Sequence, residues 1–213
     1  MEKIGILGAG KLGLTLAQLA NRAGYQVGIA SSRSASAIEL SVSVLAPGTE
    51  VLDSTTLLEN YPVIILALPL SRFFDLPETM REQFEDKVVL DAMNYWWEVD
   101  GPDDEGRYRG SSLTVQAWLP QSANVVKAFN HMGYHDLADE ATSDLTAQKG
   151  MIYATDQKEL SAMMDTLISN LGFAPYYLDS LAQGIKLEPG SPLFGANEPK
   201  SVLHDRLENW ESN

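Results

Sequence analysis

The chain runs from the apolar segment Lys3–Leu7 straight into Gly8-Ala9-Gly10-Lys11-Leu12-Gly13. Leu12, Leu14, Leu16, Ala17, Leu19 and Ala20 then recur at helical spacing until Gly24. A strand, a G-x-G-x-x-G turn and an amphipathic helix in that order constrain the fold more than any other feature of the chain, because they form the opening unit of a doubly wound α/β sheet. Each glycine in such a turn has its own task. Gly8 permits the tight turn, Gly10 lets the backbone approach a pyrophosphate, and Gly13 lets the helix pack on the strand. The unpaired N–H groups and positive dipole end of the helix favour phosphate at the same place. Gly8, Ala9, Gly10, Lys11, Leu12 and Gly13 are therefore the candidate pyrophosphate loop of a dinucleotide site.

Strand-like and helix-like periods go on alternating. Strands are predicted at Gln26–Ala30, 51–52, 63–68, 87–91, 124–129, Gly150–Ala154 and Ala174–Leu178. Between them, Ser54–Asn60, 72–85, 112–118 and 158–171 read as helices, with Pro77 awkward inside the second. Residues 34–44 fit a helix or an irregular crossover. Residues 95–110 read as a long polar loop, 131–148 have no clear period, and 188–200, rich in Pro and Gly, read as an extended arm. The pattern predicts an α/β Rossmann fold, doubly wound, with a mostly parallel sheet and a small C-terminal extension. The expected division is a dinucleotide-binding domain over 1–148 and an α/β extension and arm over 149–213 that completes the acceptor site.

Ligands in such sheets bind beyond the carboxyl ends of the strands, so the residues just past each strand matter most. Ser31-Ser32-Arg33 comes directly after the second strand, and no acid occurs between Gly13 and Glu39. An NAD site would place a carboxylate there for the ribose hydroxyls. Hydroxyls and a guanidinium instead suit a 2′-phosphate, which predicts NADP(H). Ala67-Leu68-Pro69 should wall the nicotinamide. Asn94 and Asn130 can bond a carboxamide or a substrate ring, and His131 can supply a proton. Two of these also have a plainer reading, as a turn-former for Asn130 and a structural histidine for His131.

The formal charge of −14 argues against nucleic acid as a partner. The acids Glu98, Asp100, Asp103, Asp104 and Glu105 fall among Gly and Pro and read as a solvated loop. No metal site is expected there, since neither histidine nor ordered ligand spacing accompanies them. With no cysteine, disulfides and thiolate metal sites are excluded. The longest apolar run, 63–68, is far too short to span a bilayer, and the N-terminus enters a strand at once. A cytoplasmic protein without a membrane partner is the expectation.

The ordered strings ILGAGKLGLTLA, SSR, VIILALPL, KVVLDAMNYWW and NVVKAFNHM, continued by GMIYATD and LGFAPYYLDSLAQG, resemble the NADPH-dependent deazaflavin reductases. These are the NADP oxidoreductases dependent on coenzyme F420, and the cytosolic domain of the STEAP metalloreductases is similar. The resemblance implies a homodimer in which hydride passes directly between NADPH and a deazaflavin (F420) or flavin ring. It assigns Gly8, Gly10, Lys11, Leu12 and Gly13 to the pyrophosphate, Ser32 and Arg33 to the 2′-phosphate, Leu68 and Pro69 to the nicotinamide, and Asn130 and His131 to the second ring. The acidic loop after Trp97 and the Pro-rich segment 188–200 depart from that family's pattern. Two alternatives remain open on sequence: an NADP-dependent reductase of a small imine or carbonyl compound, and an NADP(H)-binding redox sensor without turnover.

Overall fold

The computed structural model describes residues 2–32, 34–104, 106 and 108–211. Its elements in chain order are β1 (Lys3–Leu7), α1 (Lys11–Arg22), β2 (Gln26–Ala30), α2 (Ala35–Leu45), β3 (Glu50–Val51), α3 (Ser54–Asn60), β4 (Val63–Leu66), α4 (Leu70–Phe74), α5 (Glu78–Arg81), β5 (Val88–Asp91), α6 (Trp97–Asp100), α7 (Ser111–Trp118), β6 (Asn124–Ala128), α8 (Tyr134–Glu140), β7 (Gly150–Ala154), α9 (Ser161–Asn170), β8 (Ala174–Leu178) and α10 (Lys200–Glu211). Single turns of 3-10 helix at Glu82–Phe84 and Lys158–Leu160 and a longer 3-10 segment at Leu181–Leu187 fill three connections.

The strands form one eight-stranded sheet in the order β3-β2-β1-β4-β5-β6-β7-β8. The first six are mutually parallel, and β7 joins β6 antiparallel with β8 parallel to it, so the expected doubly wound, mostly parallel sheet is present. β7 and β8 continue the sheet of the N-terminal strands. Apolar side chains leave both faces of the central strands, which only helices on both sides can bury. One face packs Leu16, Ala17, Ile38, Leu137, Met164 and Ile168 from α1, α2, α8 and α9. The other packs Leu57, Leu70, Phe73 and Val115 from α3, α4 and α7. A third cluster sits at the far edge. There Ile152 and Ala154 of β7 meet Leu187, Leu193, and Leu203 and Leu207 of α10.

Three segments differ from the sequence reading. The helix expected over 72–85 is broken into α4, α5 and a 3-10 turn. Pro77 has no N–H for the previous turn, and at φ −58° it is set to start a new helix. Residues 95–110 contain the short helix α6. The Asp100 carboxylate fixes it by accepting from the Trp96 N–H at 2.8 Å and, across the gap to α4, from the Ser71 N–H at 2.9 Å. The third difference is α10, a full helix after the Pro- and Gly-rich stretch.

Candidate functional site

The turn after β1 is built as its glycines require. Gly8 has φ +125°, and a Cβ there would run into the Ala67 carbonyl. A Cβ on Gly13 would overlap the carbonyl oxygen of Gly8, so helix and turn touch backbone to backbone. Around Gly10 the situation is reversed: an added Cβ meets nothing within 4 Å. The free space faces a cleft of about 650 Å³ along the carboxyl rim of β2, β1 and β4. Gly8, Ala9, Gly10, Ser31, Ser32, Ala67, Leu68 and Pro69 all line this cleft, so three of the sequence-picked groups meet in one place. The hydrogen bonds Gly8 N–H to Ala30 O (2.8 Å) and Ala67 N–H to Leu7 O (2.9 Å) hold the three loops in register. A dinucleotide fits this cradle: backbone and open space where phosphates would lie, hydroxyls at one end and apolar surface at the other. Arg33 falls outside the described residues.

The cleft has further walls that the sequence reading missed. Asp53 and Ser54 come after β3, and Arg72 and Met80 come from the segment after β4. Asp53 is committed to capping α3, accepting from the Thr56 N–H and hydroxyl at 2.9 and 2.7 Å, bonds that hold its carboxyl below the usual range. Arg72 is exposed and meets Asp75 at 3.5 Å. The carboxyl end of β3 points to Asp53 by the same reasoning that singles out the ends of β2 and β4. Lys11 points elsewhere, its ammonium donating to the Tyr134 hydroxyl at 3.0 Å, while Leu12 packs against the core.

Further along the rim, Asn94 after β5 and Asn130 after β6 are bonded to each other. Asn94 Nδ2 donates to the Asn130 carbonyl at 2.7 Å, and Asn130 Nδ2 donates to Asn94 Oδ1 at 3.1 Å and to the Leu187 carbonyl at 2.8 Å. Asn130 is only 3 % exposed, and its Oδ1 has no partner among the described residues. Asn94 is the more accessible of the two. Just before Asn130, Phe129 sits at φ +63°, a strained setting for a bulky residue and one that turns the chain sharply out of β6.

His131 does not face this rim. It is fully buried, and its Nε2 accepts from the Ile152 N–H of β7 at 3.0 Å. Burial pulls its pKa down to about 4, so it is a neutral imidazole at ordinary pH. Its Nδ1 has no partner among the described residues, and a proton-donor role at the rim does not fit so closed an environment.

Beneath the asparagines lies a buried polar network. Lys127 and Asp91 pair at 3.1 Å with no side-chain exposure. Lys127 also donates to the Met93 carbonyl at 2.6 Å, and Asp91 accepts from the Met93 N–H at 3.0 Å and the Ser112 hydroxyl at 2.6 Å. Both backbone groups of Met93 are thereby fixed, and with them the loop that presents Asn94. Beyond this network a second cavity of about 780 Å³ opens, with Tyr95, Trp97, Tyr108, Ile185, Glu188 and Trp210 among its walls.

Residues 3–95 match the profile of the family described as NADP oxidoreductase, coenzyme F420-dependent. That is the family the sequence resembles. The matched segment carries β1 to β5 and the glycine cleft. Among solved structures, a hypothetical protein of Sinorhizobium meliloti is 28% identical, with a TM-score of 0.79 over 94% of this chain and 96% of that one. A protein of Arthrobacter sp. FB24, provisionally named an F420-dependent NADP reductase, superposes with a TM-score of 0.73 at 16% identity, over 100% of this chain and 94% of that one. A reductive aminase of Aspergillus terreus, solved with NADPH and ethyl-5-oxohexanoate, gives 0.60 at 13% identity over 100% of this chain, which covers 63% of it. No curated protein matches the chain. Family profile and fold together support an NADP-dependent oxidoreductase. No described helix is long and apolar enough to cross a membrane.

Proposed function

We propose that the chain transfers a hydride between NADPH and a flat acceptor ring, a flavin or an F420-like deazaflavin. The observation that carries this reading is the continuity of the rim. The glycine cleft includes Leu68 and Pro69 after β4, and the next strands outward, β5 and β6, are followed by the paired Asn94 and Asn130, with Tyr95 of the aromatic cavity next to Asn94 in sequence. NADPH supplies the hydride; acceptor and one proton from solvent complete the balance, giving NADP+ and the reduced ring. The protein's share is to hold, orient and exclude water. The N–H groups at the start of α1 receive the pyrophosphate. Ser32 and Arg33 take the 2′-phosphate. Leu68 and Pro69 back one face of the nicotinamide and leave the other for the acceptor. Asn94, steadied by Asn130, bonds the carboxamide or the ring edge. No side chain needs to shuttle protons, which agrees with a buried His131.

A homodimer belongs to this reading, and α2 offers a face for it, with Leu40, Val44 and Leu45 at 76, 67 and 51 % exposure. The deciding experiment mixes the protein anaerobically with NADPH and riboflavin, FMN, FAD, deazaflavin or coenzyme F420, and follows loss of NADPH absorbance. Reduction of at least one ring is expected. Tight NADPH binding with no ring reduced would favour the sensor reading.

A further inference from the structure

We infer that the cavity of about 780 Å³ beyond β5 and β6 is the acceptor pocket, and that it selects rings carrying no anionic group. The inference rests on the hydride-transfer reading above and adds to it a location and a charge rule.

The volume lies in the range of small-molecule sites. The walls suit a flat ring. Tyr95 and Tyr108 stack at 5.2 Å between centroids, and Tyr108 stacks on Phe74 at 5.9 Å. The Tyr95 hydroxyl is already used, donating to the Gly101 carbonyl at 2.7 Å, so Tyr95 offers an aromatic surface in a fixed pose. Trp97 and Trp210 add two more ring systems.

The charges point one way. The described lining residues include three acids, Asp103, Asp104 and Glu188, and one base, Arg109, with Asp103 and Glu188 each accepting backbone N–H groups. The Tyr95 hydroxyl senses this field: burial first, then the negative charge of Asp103 and Asp100, holds its pKa above the ordinary value. The start of α7 is the feature here that would draw a phosphate, and it is filled from within. Glu188 accepts from the Gly110 N–H at 2.9 Å, the Ser111 N–H at 2.7 Å and the Ser111 hydroxyl at 2.8 Å. In the cofactor cleft the matching helix start, α1, has no acid in its first turn and no side-chain cap. One chain thus has an open helix terminus for the phosphates of the dinucleotide and a carboxylate-filled terminus at the second cavity. A phosphate or carboxylate tail on the acceptor meets like charge in a partly closed space, where repulsion is less screened than in bulk water.

Riboflavin and FMN test this, since they share one redox ring and differ by a phosphate. Each is titrated against the NADP+-loaded protein and followed by flavin fluorescence, with turnover measured in parallel. Riboflavin is expected to bind at least tenfold tighter than FMN. Asp104→Lys, an exposed change, should narrow that ratio by raising FMN affinity alone. Trp97→Ala, also exposed, should weaken both flavins and leave NADPH affinity unchanged. Equal affinities in the unaltered protein, a ratio insensitive to Asp104→Lys, or riboflavin affinity insensitive to Trp97→Ala would each overturn the inference, as would failure of any flavin to bind. Riboflavin bound with the expected pattern yet never reduced would retire hydride transfer and uphold the pocket and its charge rule.

Discussion

Asn94 and Asn130 grip each other across the carboxyl ends of neighbouring parallel strands, one through a backbone carbonyl and one through a side-chain carbonyl. The buried partner fixes the accessible one. Asn130→Ala removes the side-chain bond to Asn94 and the bond to Leu187 together, and leaves the Leu187 carbonyl without its donor. Turnover with the acceptor should fall at least tenfold while NADPH affinity stays within about threefold, a loss confined to the acceptor's side of the site. Stopped-flow measurement of hydride transfer beside an NADPH titration checks this; a parallel loss of NADPH binding would move Asn130 into the cofactor site.

Gly10 and Gly13 should fail in different ways. Gly10→Val adds bulk in open space, so the protein should melt near its usual temperature and bind no NADPH. Gly13→Val drives a side chain into the Gly8 carbonyl, so it should lose stability by several kcal/mol, the scale of forced overpacking. Circular-dichroism melts paired with nucleotide titrations separate the two. A folded Gly10→Val protein with normal affinity would disprove the phosphate assignment.

NADPH should bind at least tenfold tighter than NADH, a difference of about 1.4 kcal/mol. Ser32 lines the cleft, Arg33 is next to it in sequence, and no carboxylate comes directly after β2. Arg33→Ala should weaken NADPH and leave NADH nearly unchanged, as read by the fluorescence of each nucleotide. Equal affinities for the two in the unaltered protein would refute the 2′-phosphate assignment.

His131 makes the fold acid-sensitive. Its pKa falls from 6.5 to about 4 on folding, so the unfolded chain takes up the proton first. The stability this represents is fully present above about pH 6.5 and is lost as the pH drops toward 4, up to about 3 kcal/mol at the limit. Urea melts between pH 7 and 4 should show the decline, and His131→Gln should flatten it. Turnover near neutrality should carry no ionisation from this residue; a kinetic pKa that vanishes in His131→Gln would contradict its structural role.

Self-association should depend on α2. Light scattering at micromolar concentration is expected to give twice the chain mass, and a Leu40→Glu, Val44→Glu variant the single mass with unchanged NADPH affinity. A monomer in both cases would count against the dimer.

The cofactor half was readable because its signals are local. A strand period, three glycines at fixed spacing and a helical stripe each occupy a few residues, and together they locate the cleft down to Ser31, Ser32 and Leu68. What stayed hidden was long-range. Glu188 is 77 residues from Ser111, and the Lys127–Asp91 pair spans 36, with no spacing rule to join them. His131 comes after a strand like a site residue, but the turn at Phe129 sends its ring back into the sheet. Among its described side chains, helix α10 places only Leu203 and Leu207 in the core, too thin a stripe to stand out after a segment with three prolines.

The second cavity is closed by chain segments made at very different times. Tyr95 and Trp97 leave the ribosome first, Ile185 and Glu188 much later, and Trp210 later still. Domains fold as units during synthesis. The glycine cleft has all its walls before residue 81, yet its strands share one sheet and core with Leu90, Val115 and Val126, so it too is finished only when the later strands have paired. A nascent chain halted before Ile185 would lack Glu188 and Trp210 as well, and with them one whole side of the second cavity.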